Sequence, residues 1–378
     1  MIILLFVACL LFVGTGYRKD NRYYYCCMIV LFFITALRYP VLGGTDNLQY
    51  AITYNKIPKL SEIFDYNESE FTIGYLLFNS LSKTVYDSYI FFQIIYTGCT
   101  IYLLHRVICK LGFSNSEKCL FLFGYFCYKF LWYFWGTLRQ NIADLVFWYL
   151  ILFYYQRKDS LHTFQKMLLL AAIITIPTLF HSSGALNLVF FPGMLFLSKQ
   201  KNVNRRLFVT VITSILLLLY SSNLFSVSLN LVTKFVDERY MLYQDYEAGG
   251  ANLINYLFRL FFFVLFCKKY DKISYKHKDF VLDSLTMTVL IGSINQPLMG
   301  RVLEYYAIGL YMCMGLLVQY FSPKSVNVYR FIFFIAMIAI FIRFLVTSDD
   351  GLNTNYYLFW QEPTGIKMVE NDKGLFGL

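Results

Sequence analysis

Leu138-Arg139-Gln140-Asn141-Ile142-Ala143-Asp144 opens the run LRQNIADLVFWYLILFYYQRK, residues 138–158, whose two ends differ in kind. Four polar side chains stand at its start, eleven apolar or aromatic residues follow, and Arg157 and Lys158 close it. A helix over 138–155 is long enough to cross most of a bilayer core. Basic residues immediately beyond a span mark its cytoplasmic end. Arg139 therefore belongs to the outer face. A charge at the mouth of a span is costly and is kept where it serves a purpose. This one segment sets the fold class, an all-α integral membrane protein, and the side on which function is sought.

The rest of the chain agrees. Of its 378 residues 58% are hydrophobic and 15% charged, with a mean hydropathy of +0.52, more apolar surface than a soluble core of this size would bury. Candidate spans are 2–17, 23–38, 88–104, 119–135, 138–155, 167–180, 183–197, 207–222, 253–266, 280–296, 300–320 and 331–346. The connections 18–22, 105–118, 156–166, 198–206, 267–279 and 321–330 hold 20 of the 33 Lys and Arg residues. They are expected to be cytoplasmic, which puts both termini outside. The segment 71–85 (FTIGYLLFNSLSKTV) would break this alternation as a thirteenth span. It is expected to be a re-entrant or interfacial helix on the outer face. Residues 1–378 thus read as a single polytopic domain with long outer segments 39–87, 223–252 and 347–378. Met1–Tyr17 lacks a charged leader and a small-residue cleavage site and reads as a retained first span. Positive-inside anchoring accounts for the net charge of +10, so no nucleic-acid partner is expected. The nine cysteines have no C-x-x-C spacing and read as buried free thiols.

Four clusters gather at the outer ends of the spans, where extra loop length is spent. Arg38 ends the second span, Pro40, Gly43 and Gly44 turn the chain, and Asp46 and Tyr50 follow. A carboxylate there would bind a sugar or accept its hydroxyl proton; the plainer reading is a snorkelling arginine and a turn-forming aspartate. Arg139 opens the fifth span, with Gln140 and Asp144 four apart on one helix face; Asp144 could instead pair with Lys129. His181 with Ser182 and Ser183 forms a polar island between two apolar runs, as a general base or as a hydrogen-bonded structural residue. Arg301 follows Asn295-Gln296-Pro297, with Glu304, Tyr305 and Tyr306 one turn on; Glu304 could simply neutralise Arg301. Arg239-Tyr240, with Tyr243, is a sparser fifth cluster. Lys129, Arg259 and Arg343 fall within spans. A set of guanidinium groups at one membrane face suits a lipid-linked diphosphate. No metal-spaced His/Cys set, phosphate loop, dinucleotide motif or nucleophile elbow occurs. Glu68-Ser69-Glu70 is the nearest acidic pair, and a site without metal or cofactor is expected.

Taken in order, Arg38-x7-Asp46 with Tyr50, Leu138-Arg139-Gln140-x-x-Ala143, His181-Ser182 and Arg301-x3-Tyr305 resemble the EpsG family, within the wider group of Wzy-type polysaccharide polymerases. The resemblance implies a GT-C-like bundle in the cytoplasmic (inner) membrane with its active site facing outside. Its donor would be a glycan on undecaprenyl diphosphate and its acceptor a sugar hydroxyl of another lipid-linked repeat unit, with undecaprenyl diphosphate released. Arg139 and Arg301 would meet the diphosphate with Arg38 assisting, and Asp46 or His181 would be the base. Gln140, Tyr305, Arg239 and Tyr240 would contact substrate. A chain-length regulator is the protein partner such a role leaves room for. The alternatives are an O-antigen ligase, which shares the chemistry with another acceptor, and a polyprenyl-linked glycan flippase or transporter. A flippase would show charges at mid-membrane depth and internal repeats. Lys129 and Arg259 fit the first condition, and no repeat meets the second.

Overall fold

A computed structural model describes residues 1–16, 21–40, 42, 45–66, 71–232, 251–294, 297–321, 325–347 and 356–361. Among these the chain is helical and forms no β-strand; Arg38 and Leu358 make an isolated antiparallel bridge. Helices α5 (Tyr89–Lys110), α8 (Thr163–Phe180) and α16 (Val326–Thr347) are long and apolar enough to cross a membrane, and Ile2–Gly14 and Ser182–Leu197 are shorter apolar helices. Large apolar side chains point outward on several helices, among them Phe6, Phe164, Leu188, Phe208 and Phe331. In water such surface would aggregate; in lipid it is the solvated face. The chain is a helical membrane protein.

It forms two compact units, Met1–Leu145 with Leu179–His181 and Pro323–Leu378, and Val146–Thr178 with Ser182–Ser322.

The first unit holds α1 (Ile2–Gly14), α2 (Asn21–Ala36), α3 (Thr45–Lys56), α4 (Ile73–Val85), α5, α6 (Asn115–Tyr125), the opening of α7 (Leu138–Arg157) and α16. Gly112, at φ +67°, takes the left-handed turn after α5 that other residues resist. Ser114 and Glu117 then form a capping box that starts α6. Every residue of α6 but Lys118 is buried, so it forms the core of the unit. α1 packs on α6 and α2 on α5. The rings of Phe12, Phe123 and Phe334 meet at 4.5 to 5.8 Å. After α6 the helix widens into two π-helical turns, Phe126–Phe130 and Trp132–Gly136, which α16 partly covers. Such turns are rare and concentrate at functional sites.

The second unit holds the rest of α7, then α8, α9 (Asn187–Leu197), α10 (Val203–Val232), α11 (Ala251–Lys269), α12 (Lys278–Gly292), α13 (Pro297–Tyr306), α14 (Ile308–Gly315) and α15 (Leu317–Tyr320). α12 is its hub, buried nearly throughout and packed by α9, α10, α11, α13 and α14. The expected span 300–320 is three helices. Its ladder breaks after Tyr306, whose carbonyl instead accepts from the Ser284 and Thr288 hydroxyls at 2.6 and 2.9 Å. Gly309 permits the close approach: a Cβ there would stand 2.6 Å from that of Ser284. Arg206, expected in a cytoplasmic basic connection, is buried inside α10. It pairs with Asp283 at 2.6 Å, and Asp283 also accepts from the Tyr155 hydroxyl at 2.8 Å. A buried guanidinium requires such a partner. All nine cysteines are free. Cys9, Cys26, Cys99 and Cys109 are exposed rather than buried, a placement that costs an apolar side chain little on a lipid-facing helix.

Candidate functional site

Arg38 lies one residue beyond the turn that ends α2, and its side chain folds inward until 1% is exposed. Nη1 donates to the Thr35 carbonyl at 2.6 Å, Nε to Leu42 at 3.3 Å and Nη2 to Trp135 at 3.4 Å. The Trp135 carbonyl is within reach because it sits in the widened π-turn. The Trp135 ring lies 6.0 Å from the guanidinium. Gln93 donates to the carbonyls of Ala36 and Arg38. Tyr39 and Phe359 donate to the Tyr357 and Leu37 carbonyls, pinning residues 357–359 along the turn. Burial pushes the neighbouring Tyr356 phenol up to about 12, and Arg38 pulls it partly back. Expected as an auxiliary phosphate ligand, Arg38 instead spends its donors on three carbonyls and holds the turn that leads to Asp46. Asp46 itself is exposed in the first turn of α3, and Tyr50 lies four residues on, on the same helix face.

Phe71 is the meeting point of the unit's functional candidates. The Arg139 guanidinium stacks on its ring, 4.1 Å from the centroid. The Tyr50 and Tyr75 rings approach Phe71 to 5.8 and 5.4 Å. Tyr75 is in electrostatic reach of both Arg38 and Arg139. The next residue, Thr72, donates its hydroxyl to the Phe180 carbonyl at 2.6 Å. Gly74 rests on the Leu179 backbone, where a Cβ would stand 2.7 Å from the carbonyl oxygen. His181 follows directly and is buried. Arg139 and the segment carrying His181 thus flank the same first turn of α4, though the two lie 42 positions apart in sequence. Arg139 remains partly exposed. Gln140, expected at the substrate, is buried and donates to Asp144 at 2.6 Å. The amide orients that carboxylate on the face the i,i+4 spacing indicated.

In the second unit Arg301 lies partly exposed on α13. Tyr305 is fully buried and shares a 3.3 Å hydrogen bond with the Ser183 hydroxyl. Trp148 donates to the Glu304 and Tyr305 carbonyls, and the Tyr306 hydroxyl donates to Asn187 at 3.0 Å. Tyr305 therefore helps hold α13, and Arg301 is the member of this motif with an open surface. Arg239, Tyr240 and Tyr243, Glu68–Glu70, Gly43, Gly44, Asn295 and Gln296 lie outside the described residues.

Sequence reasoning passed over Phe71, Tyr75 and Trp135. The signal that could have found the first two is the Phe71-Thr72-Ile73-Gly74-Tyr75 opening of the doubtful segment, two aromatics four apart around a glycine. The first unit carries the Arg139 guanidinium on Phe71, the Gln140–Asp144 pair and the segment of His181.

The model of the EpsG family matches residues 21–359. No match was found among the curated proteins or the solved structures.

Proposed function

The chain belongs to the EpsG family, and from that premise we propose that it is a Wzy-type polysaccharide polymerase. It joins undecaprenyl-diphosphate-linked repeat units on the outer face of the cytoplasmic membrane. In this reading twelve spans cross the bilayer and α4 returns to the outer face. The acceptor sugar hydroxyl attacks the anomeric carbon of the donor. The carbon–oxygen bond to the diphosphate breaks, and the electron pair leaves with undecaprenyl diphosphate. His181 takes the hydroxyl proton, and Asp46 orients the acceptor.

Charge grows on the diphosphate as the bond breaks, and a guanidinium already aimed there lowers the barrier without reorganising. The observation that carries this reading is Arg139, stacked on Phe71, partly exposed and beside the His181 segment. The contact restrains the fork beside Phe71, and bidentate recognition of phosphate oxygens is favoured by a fork held in place. Arg38 supports the turn rather than the substrate.

The test is the lipid-linked glycan ladder in cells lacking the protein, complemented with wild type or Arg139→Ala. Loss of long chains, with single repeat units persisting outside and rescue by wild type alone, supports the polymerase. Units stranded on the cytoplasmic leaflet would make it a flippase. Long lipid-linked chains that never reach their final acceptor would make it a ligase.

A further inference from the structure

Thr72 stands at the start of α4 without capping it through its side chain. Its backbone is extended, at φ −70° and ψ 148°, and its carbonyl accepts from the N–H groups of Tyr75 and Leu76 at 3.1 Å. A threonine in this place ordinarily turns its side-chain oxygen to an open N–H of the first turn. Here the side chain makes no such bond to α4. The hydroxyl instead donates to the Phe180 carbonyl at 2.6 Å, 108 positions along the chain.

Phe180 is the last residue of α8, and the last carbonyls of a helix have no partner within it. Thr72 supplies one. The peptide unit that begins with this carbonyl is planar and ends at the nitrogen and Cα of His181. A bond to the oxygen therefore fixes the direction in which the His181 backbone leaves α8. Gly74 closes the same contact two residues on, where a Cβ would stand 2.7 Å from the Leu179 carbonyl oxygen. His181 is 4% exposed, so its ring has little room to compensate for a shifted backbone.

Phe71, the residue before Thr72, has the Arg139 guanidinium 4.1 Å from its ring centroid. Two consecutive residues, with Cα atoms about 3.8 Å apart, thus hold a guanidinium from one segment and the backbone of another. A local preference given up for a long-range bond is typical of positions that serve a site. We propose that Thr72 is a positioning residue for His181, its hydroxyl aligning the imidazole with the guanidinium that Phe71 holds. This rests on the polymerase reading, in which His181 takes the acceptor's proton and Arg139 meets the diphosphate.

The test uses the full-length protein in lipid nanodiscs, with undecaprenyl-diphosphate-linked repeat units extracted from cells lacking the protein as substrate and undecaprenyl diphosphate as the binding probe. Thr72→Val keeps the shape of the side chain and removes the donor; Thr72→Ser keeps the donor. At saturating substrate Thr72→Val is expected to extend chains at least about tenfold more slowly, and Thr72→Ser to stay within about twofold of wild type. Thr72→Val should bind undecaprenyl diphosphate as wild type does. Combined with His181→Gln it should add nothing to the loss that His181→Gln causes alone, because groups that act as one unit are not additive. Thr72→Ser as slow as Thr72→Val overturns the proposal, since the hydroxyl would then not matter. Losses that multiply in the double variant overturn it too, since Thr72 would act apart from His181. So does weaker binding of undecaprenyl diphosphate by Thr72→Val, which would place its effect at Arg139. Wild-type protein that binds the repeat units and never joins them sinks the polymerase reading itself, whereas joining that is equally fast in wild type and Thr72→Val removes the role of Thr72 alone.

Discussion

The Arg139 guanidinium sits over the ring of Phe71, its central carbon 4.1 Å from the centroid. A contact of this kind contributes about 0.5–2 kcal/mol and limits where the fork can go. Lysine would keep the charge and lose the plane. Arg139→Lys is therefore expected to slow chain extension by about a hundredfold or more, and Phe71→Leu by about tenfold, with the protein present at normal levels. Normal chain lengths with Arg139→Lys would mean that charge alone suffices and that the fork geometry is irrelevant.

Gly74 tests the neighbouring contact. A methyl group there meets the Leu179 carbonyl oxygen at 2.7 Å, closer than real contacts allow. Gly74→Ala must push the start of α4 off the 179–181 segment, separating Phe71 from the His181 backbone. The expected result is a folded protein with at least about a tenfold loss of polymerisation. Full activity would show that α4 and that segment need not touch.

Arg38→Met separates a positioning role from a ligand role. The substitution leaves the carbonyls of Thr35, Leu42 and Trp135 without their donor. Hydrogen bonds to a charged group are individually worth about 1.5–3 kcal/mol, so the melting temperature in detergent should fall clearly. Affinity for undecaprenyl diphosphate, measured on the folded fraction, should stay within about twofold, because the Arg38 side chain is buried and three of its donors are held by backbone carbonyls. A variant that melts normally but binds diphosphate poorly would return Arg38 to the substrate.

Far more of the membrane character was legible than of the site. The apolar runs predict helices over most of their actual courses, because lipid imposes one simple demand on a spanning segment. The proposal for Arg139 starts from the same physics: a charge where charge is expensive stands out. Phe71 was not legible, because its meaning lies in a contact with a residue 68 positions away, and an aromatic in an apolar segment is ordinary. Arg38 looked identical to Arg139 in one dimension. The widened turn at Trp132–Gly136, which no 3.6-residue pattern foretells, brings the Trp135 carbonyl to its guanidinium. The break at Tyr306 was hidden too, since Ser284 and Thr288 lie on another helix. Arg206 was counted with the cytoplasmic basic residues because its partner, Asp283, is distant in sequence.

That ion pair makes its own prediction. Breaking a buried pair by removing one partner costs about 3–5 kcal/mol, whereas replacing both with apolar residues costs far less. Asp283→Leu should lower the melting temperature sharply, and Arg206→Met with Asp283→Leu should recover most of the loss. A double variant no better than the single would mean that Tyr155 and Thr286, the other partners of the pair, carry the stability.

The most direct test of the central claim uses the purified protein in lipid nanodiscs, supplied only with undecaprenyl-diphosphate-linked repeat units. The account predicts chains that lengthen by whole repeat units, one undecaprenyl diphosphate released per linkage formed, and no product from Arg139→Ala. Intact repeat units with no release, in a preparation that binds them, would contradict it.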